Sequence, residues 1–116
     1  MKGYTVRQPK TDFFVKLCKE RCGIEPVKEY QFHPLRKWRF DYCFPELRIA
    51  IEIDGGVWTG GRHTSPKGYY NDMEKFNEAA ALGYVVLKFT PDDRYALNTF
   101  ELINETIKYQ QGIYVV

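Results

Sequence analysis

The chain has 116 residues, of which 44% are hydrophobic and 16% aromatic. This length matches one domain of roughly 100–150 residues, and the aromatic content argues against a disordered chain. The formal net charge is only +2, from 17 Lys and Arg against 15 Asp and Glu, so overall charge predicts no partner. No apolar run approaches the roughly 20 residues of a membrane span. We therefore expect a single domain over residues 1–116 and no membrane contact.

The three cysteines, Cys18, Cys22 and Cys43, are an odd number in a chain without an apolar signal core. This usage is typical of a reducing compartment such as the cytoplasm rather than of a disulfide scaffold. Two interpretations are open. The thiols are buried and free, since cysteine is among the most often buried residues, or they form a small zinc site completed by His33 or His63.

Turn and cap residues divide the first half of the chain. Thr11 is predicted to cap a first helix and Gly23 to end it. Hydrophobic periodicity and prolines then predict one helix followed by three strands, Asp12–Cys22, Val27–His33, Trp38–Phe44 and Leu47–Asp54.

The second half begins with a polar, glycine-rich loop over Gly55–Lys67. A helix is predicted over Gly68–Leu82, with an apolar stripe of Tyr69, Met73, Phe76 and Ala80. An apolar strand, Tyr84–Phe89, follows, and Asp92 or Asp93 is predicted to cap a last helix that ends near Tyr109 and turns Leu97, Phe100, Ile103 and Ile107 inward. The order α-β-β-β-α-β-α predicts an α/β fold in which helices flank a mixed sheet.

Acidic residues gather on one face of the predicted sheet. Alternation along the third strand places Glu52 and Asp54 on the face of Ala50. A two-residue turn at Pro45–Glu46 would place Asp41 opposite Ala50 on that face. Three neighbouring carboxylates repel one another unless they are solvated, paired with a base or bound to a divalent cation such as Mg²⁺. Solvation and cation binding both remain open at this point.

Other charged residues have a functional and an ordinary interpretation. Lys75 lies three residues after Asp72, which is compatible with a role at the acids or with a surface salt bridge. His63 has the chemistry for proton transfer near neutral pH, although a loop histidine is commonly incidental. Glu20 is a fourth acid or a solvated helix residue.

The stretch from Trp38 to Thr90 resembles the PD-(D/E)xK nuclease superfamily, and more narrowly the small stand-alone branch that includes very-short-patch-repair-like and phage-encoded endonucleases. The motifs that carry the resemblance are Arg-Phe-Asp41, Ile-Glu52-Ile-Asp54-Gly-Gly, a histidine loop, Asp72-x-x-Lys75 and Gly83-Tyr-Val-Val-Leu-Lys-Phe. The resemblance implies a restriction-endonuclease-like αβββαβ core with an additional C-terminal helix.

The resemblance also implies roles for individual residues. Asp41 and Glu52 would bind Mg²⁺, with Mn²⁺ as a substitute, and Asp54 would be a third ligand. Asp54 stands where the family has its lysine, so Lys75, or less favourably His63, would position the attacking water. Glu20 matches an acid that many members carry in the first helix.

The implied activity is metal-dependent hydrolysis of DNA in a bacterial or phage-infected cell. Basic and aromatic side chains would contact the DNA: Arg36, Lys37, Arg39, Trp58, Arg62, Lys67 and Lys88. The short chain favours structure-directed cleavage of junction, branched, mismatched or nicked DNA. Cutting a junction would require a homodimer, for which the segment Gly112–Val116 offers apolar side chains. The alternative is a catalytically impaired nuclease fold that still binds DNA.

Overall fold

The computed structural model describes residues 12–55 and 66–112, which form a four-stranded mixed sheet flanked by helices. In chain order the elements are α1 (Phe13–Cys22), β1 (Val27–Gln31), β2 (Arg39–Phe44), β3 (Ile49–Ile53), α2 (Pro66–Ala81), β4 (Val85–Phe89) and α3 (Leu97–Gln110). The strands lie in the order β1-β2-β3-β4, with β3 and β4 parallel and the other pairs antiparallel. The predicted element order and the mixed sheet are confirmed.

One side of the sheet is mainly apolar, and the other combines apolar residues with a cluster of charged residues. Helices α1 and α3 pack together on the first side, over Tyr42, Phe44, Ile49 and Ile51. Helix α2 packs on the second side through Ala79, which joins a cluster with Phe32, Phe40, Cys43 and Ala50. None of these helices, within the ranges given above, is long and apolar enough to cross a membrane.

The connection between β2 and β3 is longer than predicted. A two-residue turn would pair Phe44 with Leu47, but Phe44 pairs with Ile49. Pro45 begins a 3-10 turn, and Arg48 ends it in the left-handed region at φ 54° with its N–H donated to the Pro45 carbonyl. The strands are therefore displaced by two residues from the predicted pairing. Because side chains alternate with period two, they keep their predicted faces on β3.

Two predicted helix caps are wrong. Asp12, rather than Thr11, caps α1, because its Oδ1 accepts the N–H groups of Phe14 and Val15. Helix α3 begins at Leu97 rather than after Asp92 or Asp93. The chain turns before it, where Asp93 N–H bonds to the Thr90 hydroxyl oxygen and the Asp93 carbonyl accepts the Thr99 hydroxyl.

Two other predicted boundaries move for local reasons. Strand β1 ends at Gln31, two residues early, because the chain turns around His33, whose Nδ1 accepts the N–H groups of Leu35 and Arg36. Helix α2 begins at Pro66, inside the predicted loop, because proline lacks the N–H that the first helical position leaves unpaired.

The inner faces of two helices differ from the predicted stripes. Tyr69 and Met73 are 58% and 44% exposed, whereas Ala79 is fully buried. Leu97 at the start of α3 is 67% exposed, although Phe100, Ile103 and Ile107 are buried as predicted. Alternation in β2 also fails at one residue, because Phe40 packs with the α2 cluster and Tyr42 with the α1 and α3 cluster.

Candidate functional site

A cleft of about 680 Å³ separates the amino-terminal half of α2 from the sheet. Strands β2, β3 and β4 form its floor and α2 forms one wall. The side chains that line it are Asp41, Glu52, Ile53, Asp54, Tyr69, Asp72, Met73, Phe76, Asn77 and Lys88. The predicted acids Asp41, Glu52 and Asp54 thus share one cleft.

Asp41 and Glu52 hold each other in place across neighbouring strands. The observed register pairs Tyr42 with Ile51, and one further step places Asp41 opposite Glu52 rather than opposite Ala50. Asp41 donates its N–H to Glu52 Oε2 at 3.0 Å, and Asp41 Oδ2 accepts the Ile53 N–H at 2.7 Å. Each carboxylate therefore has one oxygen fixed by a backbone group, while every carboxylate oxygen has two lone pairs to offer.

Lys75 reaches this carboxylate pair from α2. Its Nζ lies 3.0 Å from Glu52 Oε1, and both side chains are only 13% exposed. Its ion pair is therefore with Glu52 across the cleft, and the alternative of a surface salt bridge with Asp72 is wrong. Burial raises the pKa of the Glu52 carboxyl above its ordinary value, and Lys75 and the Asp41 N–H offset part of that effect.

Two further acids lie along the cleft without joining the central pair. Asp54 follows the last residue of β3, is exposed, and donates its N–H to the Phe89 carbonyl at 2.8 Å. Asp72 is exposed on α2, on the cleft wall.

Lys88 brings a second ammonium group to the cleft. In the parallel pairing of β3 with β4 it is the partner of Glu52, so the two side chains leave the same face of the sheet. Lys88 Nζ lies 3.8 Å from the centre of the Phe76 ring, and Lys75 Nζ lies 5.1 Å from the same ring. Phe76 is thus shared by both lysines.

The donor set decides which kind of metal ion this cleft suits. Within residues 12–55 and 66–112, no three His, Cys, Asp or Glu side chains converge closely enough to hold a metal ion. The convergent donors are the two carboxylates of Asp41 and Glu52. Mg²⁺ is commonly held by one or two carboxylates and completed by waters and phosphate oxygens. The residues fit such an ion, and they do not fit a structural ion held entirely by protein.

The remaining predicted site residues are distributed as follows. Glu20 is exposed on α1, which packs on the side of the sheet opposite the cleft, so it does not join the acids. Lys37, Arg39 and Lys67 are exposed, and Lys67 lies in the first turn of α2 rather than in the loop. The predictions for His63, Arg62 and Trp58, and for most of Gly112–Val116, fall outside the described residues.

Arg36, predicted to contact DNA, is engaged within the protein. Its Nη2 lies 3.1 Å from Glu74 Oε1, and its guanidinium group lies 3.9 Å from the centre of the Trp38 ring. His33 Nε2 lies 2.9 Å from Glu78 Oε1. Because His33 Nδ1 accepts two backbone N–H groups, the ring N–H is on Nε2, which donates a hydrogen bond to Glu78 Oε1. These contacts tie the segment before β2 to α2.

The cysteines lie on different sides of the sheet. Cys18 belongs to the cluster of α1 and α3, and Cys43 to the cluster of α2, and both are fully buried. Burial raises the pKa of each thiol to about 12. With the sheet between them they cannot share one zinc ion, so a zinc site that includes both is excluded.

Met73, Phe76 and Asn77 line the cleft, although none of them is predicted from the sequence to be a site residue. The helical spacing of Tyr69, Met73 and Phe76 correctly indicates that they share one face of α2, but that face meets the cleft beside the acids. The alternation of Val86, Leu87 and Lys88 in β4 is the signal that places Lys88 on the face of Glu52.

Comparison with known proteins gives distant relatives without an assigned activity. The chain is 26% identical over 72 residues to the uncharacterized proteins MT2308 and Rv2248 of Mycobacterium tuberculosis, from strains CDC 1551 / Oshkosh and ATCC 25618 / H37Rv respectively. The match covers 59% of this chain and only a quarter of the length of either relative. No family model matches the chain. No solved structure matches it either.

Proposed function

We propose that this chain is a metal-dependent DNA endonuclease built on a restriction-endonuclease-like αβββαβ core. The order α1-β1-β2-β3-α2-β4, with one parallel pair in an otherwise antiparallel sheet, is compatible with that core. Helix α3 would be the addition to it. The motifs around Asp41, Glu52 and Lys75 supply the resemblance on which the proposal depends.

The observation that carries the proposal is the convergence of Asp41, Glu52 and Lys75 from three separate elements. Asp54 occupies the position two residues after Glu52, where the superfamily has its lysine. Lys75 instead brings an ammonium group from α2 to within 3.0 Å of Glu52. Two carboxylates and one lysine therefore meet in the cleft without the usual spacing in the sequence.

The roles of these residues follow from their positions. Asp41 and Glu52 would hold Mg²⁺, and the bound ion would neutralise phosphate charge and lower the pKa of water. The Asp41 N–H fixes one oxygen of Glu52, and the ammonium of Lys75 fixes the other. Lys75 also donates up to three hydrogen bonds and can orient the attacking water beside Glu52.

The described part of the cleft carries more negative than positive charge. Asp41, Glu52, Asp54 and Asp72 contribute four carboxylates, against the two ammonium groups of Lys75 and Lys88. One divalent cation would offset the excess and allow a phosphodiester to approach. This balance supports a requirement for Mg²⁺ or Mn²⁺ rather than metal-free hydrolysis.

The substrate class that we propose is DNA recognised by its structure. We expect nicked, mismatched, branched or junction DNA to be cut in preference to a long specific site. A homodimer is required only for paired cuts at a junction, and the mass of the protein in solution, measured by light scattering, tests it.

Cleavage of supercoiled plasmid, a mismatched duplex and a four-way junction, with Mg²⁺, Mn²⁺ or EDTA, tests the activity. Asp41→Asn is the sharpest variant, because its amide oxygen can still accept the Ile53 N–H while the negative charge is lost. Its rate should fall at least about 100-fold. Glu101→Gln, an exposed carboxylate change on α3, is the matched control and should cut like the wild type.

A catalytically impaired DNA-binding module is the second candidate, and Asp54 in the lysine position is the observation that favours it. A folded wild-type protein that retards branched DNA on a gel but cuts no substrate with either metal would refute the nuclease proposal and support this one.

A further inference from the structure

We infer that Lys88, held on the ring of Phe76, is the residue that contacts the phosphate of the substrate, whereas Lys75 serves to fix Glu52. This inference rests on the proposed function and divides the work of the two lysines. The sequence places Lys88 among seven side chains that would contact the DNA, without distinguishing it from the other six. The relatives assign it no role.

Lys75 is held in place by Glu52. Its ammonium is bound to Glu52 at 3.0 Å, and its side chain is only 13% exposed. Its remaining donors can reach a water beside that carboxylate, but moving the ammonium to a phosphate would break a desolvated ion pair and leave Glu52 without its partner, which is strongly unfavourable.

Lys88 has the opposite properties. It is exposed and lines the cleft beside Glu52. Across residues 12–55 and 66–112, no carboxylate lies within ion-pair distance of its Nζ. Its described contact is the face of the Phe76 ring, at 3.8 Å from Nζ to the ring centre. An aromatic face attracts an ammonium group without neutralising its charge, so the donors of Lys88 remain able to bind an anion.

Phe76 is therefore a positioning residue. A lysine has a flexible four-carbon stem, and the ring holds its end near the cleft floor before any substrate arrives. The neighbour Glu52 makes this restraint useful, because an unrestrained ammonium beside a carboxylate would readily bind it. Lys75 is therefore paired with Glu52, and Lys88 is left to bind the phosphate.

Binding and cleavage by four variants test the inference. A labelled branched oligonucleotide is titrated at several salt concentrations with Ca²⁺ in place of Mg²⁺, so that the carboxylates can hold a divalent cation, and cleavage is measured with Mg²⁺. Lys88→Ala should weaken binding and lower the slope of log affinity against log salt by about one phosphate contact, or 0.7–0.9. Its kcat/KM should fall roughly tenfold or more. Lys88→Arg should restore most of the salt slope and most of kcat/KM. Phe76→Leu, which retains bulk but removes the ring, should give values between those of the wild type and Lys88→Ala.

Lys108→Ala, an exposed lysine change on α3, is the control and should leave slope and rate unchanged. If Lys88→Ala binds and cuts like this control while the wild type cuts DNA, the inference is overturned and the nuclease proposal stands. If Lys88→Ala lowers the salt slope but the wild type cuts nothing with any metal, the phosphate contact is supported and the nuclease proposal fails.

Discussion

Removing the ammonium group of Lys75 should destabilise the fold as well as the proposed chemistry. At 3.0 Å, two unit charges attract by about 5–6 kcal/mol for an effective dielectric constant of about 20. Much of this attraction compensates for desolvation of the two groups. Truncating one partner leaves the other charge buried and unpaired, which costs about 3–5 kcal/mol. We expect Lys75→Met to lower the unfolding free energy by that amount.

A double-mutant cycle isolates the pair. Lys75→Met, Glu52→Gln and the double variant are unfolded in urea and followed by circular dichroism, with m-values checked for two-state behaviour. The double variant should be more stable than the sum of the single effects implies, by at least about 2 kcal/mol.

The matched control is the surface pair Lys19 and Glu25, separated by 3.7 Å with side chains 67% and 60% exposed. Because solvent screens these charges, their coupling should stay below about 1 kcal/mol. If the coupling energy between Lys75 and Glu52 is no larger than that of the surface pair, the two groups are solvated in solution and the geometry of the proposed active site is wrong.

The remaining predictions concern other parts of the fold. The pKa of Asp12 is lowered, because hydrogen bonds from Lys28, Tyr42 and the start of α1 outweigh the opposing effect of burial. Its stabilisation is therefore present above the unfolded pKa of about 3.9 and is lost as pH falls through the lower folded value. In Asp12→Asn, which retains the helix cap, the unfolding free energy should fall less between pH 6 and pH 2 than it does in the wild type. Glu29 has φ 50°, so Glu29→Gly should raise the unfolding free energy by up to about 1 kcal/mol; a loss would show that no strain is relieved. Cys18 and Cys43, whose burial raises their pKa to about 12, should resist iodoacetamide at pH 8 until the protein is unfolded, and rapid labelling of either, detected by mass spectrometry, would contradict their burial.

The sheet could be predicted because the sequence of β3 has few other interpretations. Ile49, Ile51 and Ile53 alternate with Ala50 and Glu52, and glycines follow, so both the strand and the orientation of its acid are specified locally. The pairing partner of that acid could not be predicted. It depends on the left-handed Arg48 in the connection, and a non-glycine residue gives no signal of a positive φ.

The site was partly predictable for a similar reason. Helical spacing identified Tyr69, Met73 and Phe76 as one face of α2, but spacing does not show whether a face meets a core or a cleft. Whether Lys75 forms its ion pair with Asp72 or with Glu52 depends on how α2 lies over the sheet. That position is set by contacts distant in sequence, such as His33 with Glu78.

The length of the connection between β2 and β3 determines which acids lie side by side, whereas the burial of apolar side chains does not depend on it. If the same sequence closed instead on a two-residue turn, with Leu47 and Arg48 drawn into the strand, the strands would slide by two positions and every apolar side chain would keep its face. Asp41 would then lie beside Ala50, about 7 Å along the strand from its present neighbour Glu52. Such a protein would retain its hydrophobic pattern while losing the contact between its central acids. The 3-10 turn that begins at Pro45 acts in this sense as a spacer that aligns the two halves of the proposed active site.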